Sequence, residues 1–203
     1  MSKLNVNTIE PQSSTTVTLG ASGDTILIPS GATISIPSGA TIANSGTATG
    51  FGTNTPAFEA YLGGSGGQAV SDNTVTLVQA NTEVYDTDSA YNTSTYRFIP
   101  QVAGKYFAYA SIQTETATNS DLNDSYLYFK LNGSNIYESV NIYANGFGRQ
   151  DIISGHIVVD MNGSSDYLEL YGRINCEDNS GMLFESNTQW KRATHFGAYR
   201  IIT

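Results

Sequence analysis

Charge is scarce in this sequence. Asp, Glu, Lys and Arg make up only 13% of its 203 residues, only nine residues are basic, and the formal net charge is −9. Phosphate backbones reward clustered Lys and Arg, so nucleic-acid binding is excluded, and anionic membrane surfaces are disfavoured for the same reason. Cysteine is nearly absent. Cys176 stands alone, makes no intrachain disulfide, and reads as a small buried or loop side chain. No stretch approaches the length needed to span a bilayer. The start, Met1-Ser2-Lys3-Leu4-Asn5-Val6-Asn7, lacks the apolar run of a secretory signal, so synthesis in a reducing cytoplasm is expected. Apolar stripes at helical spacing are missing too.

What is present favours sheets. Gly, Ser, Thr and Asn are abundant, and 13 Tyr and eight Phe accompany a single Trp. Tyr, Phe, Thr, Val and Ile suit pleated, half-buried surfaces, which points to an all-β fold.

Charge also divides the chain. Residues 1–56 hold only Lys3, Glu10 and Asp24. Within them Ile26-Leu27-Ile28-Pro29-Ser30-Gly31-Ala32-Thr33 is followed directly by Ile34-Ser35-Ile36-Pro37-Ser38-Gly39-Ala40-Thr41. A degraded copy begins at Ile42 and a looser one occupies residues 17–25, giving a period of about eight. Each unit reads as a very short strand and a corner. Alternate Ile side chains share one face, and Pro-Ser-Gly turns the chain. One unit buries almost nothing, and four stacked units would leave an open apolar face that three intertwined chains would cover. Residues 17–55 are therefore expected to form a short intertwined β-stalk and hinge, with Ile26, Ile28, Ile34, Ile36 and Ile42 as trimer contacts. An unstructured Ser/Thr/Gly linker is the alternative. Residues 1–16 read as an extended arm that orders on a partner surface, with Leu4, Val6 and Ile9 as its anchoring side chains.

Residues 56–203 read as eight to ten short strands separated by turns, which suits a sandwich or jelly roll. Tyr106, Ala108, Ala110 and Ile112 alternate with Phe107, Tyr109 and Ser111. Leu127, Phe129 and Leu131 alternate with Tyr126, Tyr128 and Lys130, and Asn132-Gly133 marks a hairpin turn.

Chemistry-bearing patterns are sparse. His156 and His195 lie in no nucleophile–base or metal-ligand motif; His156 is expected to make a cross-strand hydrogen bond. Loop carboxylates Asp86, Asp88, Asp121 and Asp124 are candidate calcium ligands, with turn capping as the simpler reading. No local pattern specifies a glycosidase acid and nucleophile, so no catalytic residue is assigned. Tyr143, Trp190 and Arg192 are candidates for a ligand surface that could take a host-surface glycan, set against the ordinary role of Tyr in cross-strand pairs.

Two resemblances sharpen these expectations. Pro56-Ala57-Phe58-Glu59-Ala60, then Asp86, Tyr91, Phe98 and Gly104-Lys105-Tyr106, then Phe196-Gly197-Ala198-Tyr199 resemble the trimeric jelly-roll heads of the complement first-component globular domain and tumour necrosis factor. In that family plan three heads pack through aromatic faces around a threefold axis. The sequence departs from it at Ala80, Ala108 and Ala110, where aromatics are expected. Residues 1–52 resemble the beginnings of structural proteins of marine tailed phages, on Leu4-Asn5-Val6-Asn7-Thr8-Ile9-Glu10-Pro11, the repeated Ile-Pro-Ser-Gly-Ala-Thr and Ser45-Gly46-Thr47-Ala48-Thr49-Gly50-Phe51-Gly52. The resemblance implies a non-enzymatic homotrimer on a virion surface, made in the cytoplasm of a bacterial host and anchored by its arm to capsid or tail proteins. A receptor-binding fibre and a polysaccharide-degrading enzyme are the competing functions.

Overall fold

Alternation of small or aromatic apolar residues with polar ones builds long antiparallel strands here, and Gly-containing turns end them. The computed structural model describes residues 9, 11, 15–43, 45, 54–143, 148–178, 183–184 and 192–201. The chain divides into two compact units, Met1–Gly50 and Phe51–Thr203.

In the first unit the corners of the repeat are set by hydrogen bonds. Asp24 N donates to the Ala21 carbonyl at 3.0 Å, Ala32 N to Pro29 at 3.0 Å and Ala40 N to Pro37 at 3.1 Å. These corners recur every eight residues, so the looser copy before Ile26 is in register with the others. Gly23, Gly31 and Gly39 occupy the third position of each corner with φ of 92°, 83° and 85°. Nothing lies within 4 Å of where their Cβ atoms would sit, so glycine is required for the backbone angle and not for space. The expected short strands pair with nothing within this unit's described residues, and the repeat's isoleucines are 42% (Ile28) to 72% (Ile42) exposed. A single chain leaves this apolar row open.

The second unit is an all-β sandwich with thirteen strands among the described residues: β1 (Ala57–Tyr61), β2 (Gln68–Ala69), β3 (Thr76–Leu77), β4 (Thr82–Asp86), β5 (Tyr91–Asn92), β6 (Arg97–Phe98), β7 (Gly104–Glu115), β8 (Leu122–Leu131), β9 (Ser134–Ile142), β10 (Gln150–Met161), β11 (Leu168–Cys176), β12 (Leu183–Phe184) and β13 (His195–Arg200). The first sheet runs β2-β12-β7-β13-β1-β4, with β10 along the other side of β7. The second runs β5-β6-β11-β8-β9, with β3 on β11. Asn132 and Gly133 join β8 to β9 with φ of 52° and 79°, the two positive angles that a two-residue hairpin turn needs.

The inner faces follow the period of two. Tyr106, Ala108, Ala110 and Ile112 of β7 meet Leu127 and Phe129 of β8 in one buried cluster. Its centre is aromatic. The Phe58 ring stacks on Tyr91 at 4.4 Å and on Phe98 at 4.7 Å, and meets Phe196 edge-on at 4.9 Å. Such pairs add about 0.5–1.5 kcal/mol each beyond area burial. Tyr91, buried to its tip, donates its hydroxyl to the Ala80 carbonyl at 2.8 Å.

Candidate functional site

With the even-numbered side chains of β7 turned inward, the odd-numbered ones project from the first sheet's outer face, and the neighbouring strands do the same. Phe107 on β7 meets Tyr199 of β13 at 5.5 Å and the His156 ring of β10 at 5.7 Å. His156 thus packs against a ring where a cross-strand hydrogen bond was expected. Tyr109 lies over Gly197, where a Cβ would come within 2.4 Å of the ring. The Tyr109 hydroxyl donates to Glu59 at 3.0 Å, and its pKa is pushed upward, by burial first and then by hydrogen bonds with Tyr85 and Glu59. Val158 and Ile152 extend the same face and are exposed. This is a largely apolar surface with polar groups at its margins, among them the Lys105–Asp160 pair at 2.8 Å.

The second sheet's outer face is also rich in tyrosine, but its rings are covered by cations. Arg97 lies 4.1 Å from the centre of Tyr167, Lys130 lies 4.0 Å from Tyr171, and Arg173 lies 3.8 Å from Tyr126. Arg97 also binds Glu169 at 2.8 Å, and Arg173 binds Asp124 at 2.9 Å.

At the end of the first sheet away from Pro56, a cavity of roughly 540 Å³ opens among side chains of β7, β10 and the loop before β13. Ser111, Gln113, Gln150, Asp151, Arg192 and His195 line it. The loop is pinned from both sides: Gln113 N donates to Thr194 Oγ1 at 3.0 Å, and Leu62 N donates to the Thr194 carbonyl at 3.0 Å. Arg192 adopts φ of 67° and reaches Glu59 at 3.2 Å. His195 Nδ1 meets the Arg192 carbonyl at 2.8 Å.

Of the ligand-surface candidates, Arg192 lines this cavity, and Tyr143 hydrogen-bonds to Asp151 on its edge. Burial and then that bond push the Tyr143 pKa up to about 12. Trp190 lies outside the described residues, as do Leu4 and Val6; Ile9 is exposed. Gln113, Ser111 and His195 escaped the sequence reading because they join the cavity only through strand pairing, with Ser111 opposite His195.

Three of the four calcium candidates accept hydrogen bonds from the protein. Asp86 accepts from Ala90 N at 3.0 Å and Tyr91 N at 3.1 Å, which is turn capping. Asp124 is held by Arg173 and by Asn175 at 2.8 Å. Asp121 accepts from Asp178 N at 2.9 Å, and Asp88 sits in the β4–β5 turn with φ of 65°. Among the described residues, no group of three or more His, Cys, Asp or Glu is placed to hold a metal ion. Cys176 is buried as expected, and its thiol is pushed up to about 12, by burial first and then by nearby carboxylates, Asp121 foremost.

The two sheets and their order define the class: an all-β jelly-roll sandwich of the complement first-component and tumour-necrosis-factor type. Among solved structures the chain is similar to the globular domain of zebrafish complement 1qA protein, with a TM-score of 0.53, 14% identity, and coverage of 72% of this chain and 97% of that one. At that identity the likeness speaks for fold alone. No protein-family model matches the chain, and no curated protein does.

Proposed function

We propose that this chain is a non-enzymatic structural subunit of a tailed-phage particle, a homotrimer with the jelly-roll head facing water. The observation that carries the reading is the open apolar row of Ile26, Ile28, Ile34, Ile36 and Ile42, repeated at a strict eight-residue spacing of corners and left exposed by one chain. Exposed apolar surface of this regularity favours association, and three copies around an axis would cover it. The outer face around Phe107, Tyr109 and Tyr199 would serve the heads in the same way. The phage context rests on the resemblance of residues 1–52 to particle proteins. The arm of residues 1–16, with Leu4, Val6 and Ile9, would anchor the trimer to capsid or tail. The short repeat favours a surface decoration or small fibre, since four eight-residue units span only on the order of tens of ångströms.

Gold-labelled antibody against residues 57–203, viewed on intact particles by electron microscopy, tests this reading. Label over the capsid indicates decoration and label on the tail indicates a fibre. Particles free of label overturn the proposal. The cavity remote from Pro56 favours a second reading, a receptor-binding fibre, and saturable binding of the protein to host cells would support that one.

A further inference from the structure

One residue of the cavity wall, Gln113, carries a polar atom with no partner. Gln113 is 3% exposed, and its side-chain Oε1 is buried without a hydrogen bond. A buried carbonyl left in this state costs about 1–3 kcal/mol, and native structures rarely leave such a group without a role. The rest of the lining is mixed in the same way. His195 donates Nδ1–H to the Arg192 carbonyl, which leaves Nε2 as the ring's second hydrogen-bonding atom. Ser111 Oγ accepts from Ser154 Oγ at 3.3 Å, which leaves its own hydroxyl proton to donate. Gln150 adds an amide, with both donor and acceptor capacity. Charge in the lining balances. Arg192 is paired with Glu59, and Asp151 is held by Asn141 Nδ2 at 2.9 Å. An anionic ligand would meet both Glu59 and Asp151. A cation would have to compete with Arg192.

We propose that this cavity binds a neutral polyhydroxyl ligand, a short saccharide, with Gln113, Gln150, Ser111 and His195 exchanging hydrogen bonds with its hydroxyls. Alternating donors and acceptors at near-zero net charge match a chain of hydroxyls, each of which donates and accepts. The volume falls within the range of about 300–1,000 Å³ seen in small-molecule sites. Ile152, which lines the cavity and is exposed, provides an apolar flank for a sugar face. The cavity lies towards the other end of β7 from Phe107, Val158 and Tyr199, and it is read by binding to the purified chain while the particle reading is read by label on intact virions, so either can fail without the other.

The experiment is saturation-transfer NMR on the full chain with maltotriose, cellotriose and triacetylchitotriose, with an oligogalacturonate as the anionic comparison, followed by titration of whichever binds. Saturable binding of at least one, at one site per chain, is expected. Gln150→Ala, an exposed change, and Gln113→Met should each weaken it by about tenfold. Lys130→Ala on the opposite sheet should leave it unchanged. If Gln113→Met does not fold, Gln150→Ala decides alone. Silence from all three sugars at roughly 10 mM, binding that survives the cavity variants, or a preference for oligogalacturonate over the neutral sugars would overturn the proposal.

Discussion

The two outer faces of the sandwich carry similar residues and handle them differently. On the second sheet every ring with a cation above it is closed by its own chain: Arg97 over Tyr167, Lys130 over Tyr171 and Arg173 over Tyr126. Carboxylates then neutralise two of those cations, and Glu169 is buried to 1% exposure in the process. Such a face has little to gain from a partner, because covering it would desolvate charges already paired. On the first sheet the Phe107 ring stacks against His156 and tilts against Tyr199, and Val158, opposite Phe107, stands open. Composition alone does not separate the two faces. The placement of five or six charged side chains does.

The largest effect is expected in the repeat, which resembles the first sheet in leaving apolar groups open. Ile28→Asp combined with Ile36→Asp would bury unpaired carboxylates on association, at roughly 3–5 kcal/mol. Size-exclusion chromatography should show the assembly loosened while the head's circular dichroism persists. An unchanged assembly would remove the repeat from the contact. Next is Gly197→Ala. Its Cβ would displace the Tyr109 ring and break the bond to Glu59, costing about 1–3 kcal/mol in urea unfolding; a neutral result would mean Tyr109 moves freely. Arg97→Ala tests the opposite face. It leaves the Glu169 carboxylate buried without its cation and should cost about 1–3 kcal/mol of stability with no change in association.

The smallest effect concerns pH. The thiol of Cys176 and the hydroxyl of Tyr143 ordinarily titrate at 9.0 and 10.0, and folding raises both to about 12. The native state therefore holds these protons more tightly than the unfolded chain. Their stabilisation is complete below about pH 9 and is lost as pH rises towards about 12. Melting temperature should be level up to about pH 9 and fall beyond it, and Cys176→Ala should flatten the first part of the fall. Iodoacetamide should label Cys176 in native protein far more slowly than in urea.

Much of the sandwich was legible in the sequence because its signals are local. The alternation from Tyr106 to Ile112 and from Tyr126 to Leu131 fixed which side chains face inward, and Asn132-Gly133 fixed a hairpin. The eight-residue corners were legible too, although the register of the copy containing Gly23 emerged only from its hydrogen bond. The cavity was not. Gln113 reads as one polar residue in a strand, and nothing near it in the chain indicates that Arg192 and His195 fold over it. Asp86, by contrast, was legible: turn capping was the simpler reading of the Asp86–Asp88 pair, and in the fold Asp86 caps the turn before Tyr91.

The proposed homotrimer would bring copies of this chain together through the repeat and through the open face of the first sheet. Sedimentation velocity of the full chain and of Val158→Asp tests it most directly. Val158 is exposed in one chain, so the substitution should leave the folded monomer within about 0.5 kcal/mol of its original stability. Three chain masses are expected for the parent protein at micromolar concentration, and dissociation of the variant at concentrations about tenfold higher than the parent tolerates. A folded parent monomer, or a variant that associates as the parent does, would contradict it.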